Sequence, residues 1–68
     1  MDERMKEMLE SVIDMCGVKE TLEAMGDICH EKATHIKVSY GDQALSDVWD
    51  ITGTWIKGMA SQAGDKLP

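Results

Sequence analysis

The sequence predicts an all-α protein of three helices: an N-terminal helix packed on an antiparallel helical hairpin, the unit associating as a helical-bundle dimer. Three observations carry this expectation. Apolar residues recur at spacings of three and four along most of the chain, without the strict alternation of a half-buried strand. Glycine and turn residues interrupt that rhythm at Gly17 and at Ser39-Tyr40-Gly41-Asp42. Proline occurs only at Pro68 and β-branched residues are scattered, which leaves strands little support.

The first helix runs from Asp2 to Cys16, with Met5, Met8, Leu9, Val12, Ile13 and Cys16 on one face. Asp2 and Glu3 suit the positive end of its dipole, and Gly17 suits its C-terminal end, because glycine reaches positive φ without a Cβ clash. A second helix spans about Val18 to Val38. Its stripe is Val18, Leu22, Met25, Cys29, Ala33, Ile36 and Tyr40, within a sector of about 80°, with Gly26 beside the seam. Asp42 is a preferred N-cap for a third helix from Gln43 to about Ala63, which leaves residues 64–68 as a flexible tail beyond a single domain of residues 1–63.

The third helix repeats the second stripe in mirror image. Leu45, Val48, Thr52, Ile56, Met59 and Ala63 pair with Ile36, Ala33, Cys29, Met25, Leu22 and Val18 about the Gly41 turn, as two antiparallel helices on a short loop require. The expected core is therefore Leu22, Met25, Cys29, Ile36, Leu45, Val48, Ile56 and Met59. Beyond that seam, Trp49 and Ala60 lie on one flank and Ala44, Ile51 and Trp55 on the other, an apolar arc about 180° wide. One neighbouring helix cannot cover so much. The expected interface residues are accordingly Ala44, Ile51 and Trp55, together with Met5 and Met8 of the methionine-rich first helix.

Composition narrows the function classes. The 68 residues carry a net charge of −6, which disfavours duplex nucleic acid and anionic membrane surfaces as partners. No apolar run approaches a bilayer span, and the N-terminus has no apolar core of a secretory signal. Cys16 and Cys29 lie about 16 Å apart along the expected helices, too far for a bridge, so both are read as reduced thiols of a cytoplasmic protein. At this size a single core seldom supplies more than about 3–5 kcal/mol, which favours a partner subunit.

Catalytic and metal chemistry find little support. No phosphate-binding glycine loop, nucleophile elbow or zinc-helix motif occurs, and the serines have no evident base. Asp27, Glu31 and His35, four residues apart, are the candidate metal ligands, since carboxylates and imidazole on one helix face can hold a divalent ion. The plainer reading of that ridge is a solvated helix face with a weak Glu31–His35 pair, and no cofactor is expected.

One resemblance can be stated. Leu22-Glu23-Ala24-Met25, then Ile28 through Ile36 with its Cys-x-x-Lys-Ala-x-His-Ile string, then Tyr40-Gly41-Asp42 and Trp49, resembles a pattern in short uncharacterised bacterial helical proteins. It covers roughly residues 20–55 and implies only a small soluble intracellular helical protein. The functional expectation is a non-enzymatic protein–protein interaction or assembly module, self-associating as a dimer, with a possible protein client. The alternative is an acidic decoy or inhibitor of a basic, nucleic-acid-binding protein.

Overall fold

A computed structural model describes residues 1–66. The chain is all-helical and forms a hairpin of two helices, α1 (Glu3–Tyr40) and α2 (Gln43–Lys66). Local sequence explains the ends. Asp2 caps α1 by accepting from the Met5 N–H at 3.0 Å. Gly41 closes α1 in the left-handed region (φ 64°), its N–H donating to the Lys37 carbonyl at 3.1 Å. Asp42 then caps α2 by accepting from the Leu45 N–H at 3.0 Å. The reversal at Gly41-Asp42 follows the sequence expectation.

The expectation of three helices is corrected. Residues 3–40 form one helix with a kink at Gly17, where φ 86° and ψ 163° belong to a region open essentially to glycine alone. The reason is length. Folding one helix back on another takes a loop of about two to five residues, and Gly17 alone provides none. The segment before it becomes an arm that leaves the hairpin at an angle instead of packing along it. A straight 38-residue helix would be about 57 Å long, whereas the greatest extent of the molecule is 39 Å. The Thr21 hydroxyl donates to the Gly17 carbonyl at 2.8 Å, a side-chain bond across the first turn after the kink. At the other end α2 continues through Gly64, Asp65 and Lys66, residues expected in the tail; Leu67 and Pro68 lie outside the described residues.

The seam between α1 and α2 is built of small residues. Gly26, Cys29 and Ala33 of α1 are buried against Ser46, Gly53 and Ala60 of α2, with Thr21 at the margin. Cβ atoms built on Gly26 and Gly53 would lie 3.0 and 2.9 Å from the other glycine's carbonyl oxygen, so the backbones meet almost directly. One helical repeat further along, the Ser46 hydroxyl donates to the Ala33 carbonyl at 2.8 Å in a buried position. These contacts set the rotation and register of the pair.

The expected core is corrected accordingly. Only Cys29 of the eight expected residues is buried; Leu22, Ile36 and Ile56 are half-buried, and Met25, Leu45, Val48 and Met59 are exposed. Ala33 meets Ser46 instead of Val48, and Gly53 takes the place opposite Gly26 where Ile56 was expected near Met25. Small residues let the backbones approach, and the larger side chains beside them turn out to one side.

Candidate functional site

That rotation gives the hairpin two unlike faces. On one, charged and polar side chains bridge the helices. His30 Nδ1 donates to Asp50 Oδ1 at 3.0 Å, Asp27 pairs with Lys57, and the Lys57 stem crosses over Gly26. The Lys19 stem passes over Gly64 in the same way, its ammonium 3.5 Å from Glu23. Acids and bases alternate here, so the negative charge of the chain is not gathered into one patch.

The opposite face is apolar and open. At about 100° per residue, Leu45, Val48, Thr52, Trp55 and Met59 fall within about 80° of one another on α2. Their exposures include 45% for Leu45, 59% for Val48 and 73% for Trp55. Met25 and Ile28 of α1 lie on the same side, as the Lys32–Trp49 contact there shows: the Lys32 ammonium sits 5.7 Å from the indole centroid. The Thr52 hydroxyl donates to the Val48 carbonyl at 2.8 Å, which leaves its methyl group as the outward part of the side chain. Two shallow depressions mark this surface. One is lined by Ile51, Thr52, Trp55, Ile56 and Met59; the other spans both helices from Val18 and Leu22 to Met59 and Ala63.

The expected interface residues all remain uncovered within the chain. Ala44, Ile51 and Trp55 are exposed on or beside this face. Met5 and Met8 are exposed on the arm, where they line a third depression with Met1, Leu9 and Val12. The sequence separated these positions from the seam but missed the face's true extent, because Leu45, Val48 and Met59 were assigned to the core. A signal for the seam was present: Gly26 and Ala33 are seven apart, as are Ser46, Gly53 and Ala60.

The candidate metal ligands are not brought together. Asp27 turns to Lys57, whereas His35 lies 3.4 Å from the Ser39 hydroxyl and edge-on to Tyr40, with ring centroids 5.9 Å apart. Among the described residues no three His, Cys, Asp or Glu side chains form a group able to hold a metal ion. Cys16 is exposed near the kink and Cys29 is buried in the seam, both as free thiols. No described helix is long and apolar enough to cross a membrane.

Comparison with known protein families, with curated proteins and with solved structures finds no match to this chain. The class the geometry defines is therefore a structural one: a kinked, two-faced helical hairpin.

Proposed function

We propose that the chain is a small non-enzymatic interaction module, whose open apolar face docks against another protein surface. The observation that carries this reading is the amount of surface left bare. A globular monomer of 7.5 kDa exposes about 4,250 Å², whereas this chain exposes 5369 Å². Its radius of gyration, 13.7 Å, likewise exceeds the roughly 11 Å of a compact domain of this length. Part of the surplus belongs to the arm, where Met5 and Met8 are exposed; on the hairpin Val48, Trp55 and Met59 lie together, and contiguous exposed apolar patches mark docking surfaces. The free thiols Cys16 and Cys29 support a reducing, cytoplasmic setting.

Sedimentation combined with an apolar fluorescent dye, anilinonaphthalene sulfonate, tests the reading. The expected result is either an assembled particle or a monomer that binds the dye strongly. A monomer that binds none has closed the face with its own arm, and the interaction reading is then overturned.

A further inference from the structure

The open face on α2 has a symmetry of its own. About Thr52, apolar residues stand at matched distances on either side: Trp49 and Trp55 three away, Val48 and Ile56 four away, Leu45 and Met59 seven away, with Trp49 and Ile56 half-buried beside α1 and the others exposed. A helix carrying such a stripe is complementary to a second copy of itself run in the opposite direction. We infer that the occupant of the face is a second copy of this chain, with the two α2 helices antiparallel and a two-fold axis passing beside Thr52. This rests on the proposed docking role of the face.

In that arrangement Leu45 meets the partner's Met59, Val48 meets the partner's Ile56, and Trp49 meets the partner's Trp55. An isologous interface demands this reciprocity, in which each residue and its counterpart exchange roles across the axis.

Three further observations agree. Thr52 is turned about 100° around α2 from the Ser46–Gly53–Ala60 seam. That is close to the roughly 90° between the two neighbours of any helix in a square four-helix bundle, the architecture two hairpins would complete. The molecule is also only 14 Å across its thinnest axis, so the broad apolar side of the hairpin is not backed by a further layer of its own chain. The surplus surface of the whole chain, finally, is about 1,100 Å², shared between this face and the arm, against the roughly 800 Å² per partner that a standard interface buries. The face carries no acid, so two copies of a chain with net charge −6 can meet there without opposing carboxylates. Lys32, beside it, is held over Trp49.

The test uses the full chain. Sedimentation equilibrium is expected to give twice the 7.5 kDa mass at micromolar concentration. In a Cys16→Ser background, Thr52→Cys places a thiol beside the axis and Thr54→Cys places one on the polar side of α2. Copper phenanthroline and dissolved oxygen then remove two electrons and two protons from paired thiols to form a disulfide. Rapid covalent dimer formation by Thr52→Cys, at least tenfold faster than by Thr54→Cys, supports the two-fold pairing. Equal rates overturn it, as does an assembled particle that Thr52→Cys cannot cross-link. A monomer that binds the apolar dye overturns the second copy as occupant while the docking face stands. A monomer that binds no dye overturns both.

Discussion

Gly26 and Gly53 meet where the two helices come closest, each leaving room for the other's carbonyl oxygen. A Cβ built on Gly53 would lie 2.9 Å from the Gly26 oxygen, 3.0 Å from the Cys29 Cβ and 3.1 Å from the His30 ring. Two of those neighbours are backbone or Cβ atoms on α1, so relief requires moving a whole helix. The contact is the pivot of the hairpin.

Gly53→Ala should therefore destabilise the protein by about 1–3 kcal/mol, the overpacking outweighing the gain in helix propensity. Gly58 provides the control on the same helix, since a Cβ there meets nothing within 4 Å. Gly58→Ala should stabilise by about 0.5–1 kcal/mol. Urea denaturation of both variants checks the pair, and equal shifts would contradict the close approach.

Ser46 is only 2% exposed, and its hydroxyl is the buried polar link between the helices. Ser46→Ala should cost about 1 kcal/mol, the net worth of one intramolecular hydrogen bond. Asp42→Ala should cost a similar amount, about 1 kcal/mol, by leaving the first turn of α2 without its cap. Thermal melts of the single and double variants are expected to show non-additive losses, because the Ser46 N–H donates to the Asp42 carbonyl at 3.0 Å and the two residues share the first turn of α2.

Gly17→Ala should straighten α1. Alanine is strongly disfavoured at the kink conformation but is the best helix former, so the arm is expected to continue the axis of the hairpin. Small-angle scattering should show a larger greatest dimension than for the natural chain, since a straight 38-residue helix spans about 57 Å and the single kinked chain 39 Å. An unchanged dimension would mean that contacts of the arm, not the freedom of glycine, hold the bend.

The polar side of the hairpin should tolerate change. Asp27→Asn removes an exposed partner of Lys57 and should cost less than about 1 kcal/mol, with the loss shrinking at high salt. Zinc should leave the melting temperature of the natural chain unmoved. A rise abolished by His35→Ala would restore the metal reading of Asp27, Glu31 and His35.

Much of the fold is legible locally. Asp2, Gly41 and Asp42 act as caps within their own few residues, so the starts of the two helices and the reversal between them can be read from residue type, whereas the expected ends at Cys16, Val38 and Ala63 are not those observed. Gly17 was legible as an interruption but not as a kink, because whether a helix stops or bends depends on what can follow it. The exposed positions Ile51, Trp55, Met5 and Met8 were legible too, as apolar surface beyond what one neighbour can cover.

The sequence by itself determined that the chain is helical, that it reverses at Gly41-Asp42 and that α2 carries an excess of apolar arc, but not that residues 3–40 form one kinked helix. Only the tertiary structure decided which part of that arc faces α1. Periodicity locates apolar stripes by the size and polarity of side chains, and on that measure Leu45, Val48 and Met59 outrank Ser46, Gly53 and Ala60. Packing of two backbones is governed instead by shape. The small residues bring Gly26 and Gly53 together and let Ser46 reach the Ala33 carbonyl, a match that exists only once both helices are present. The larger residues are then left on the face that the hairpin cannot cover.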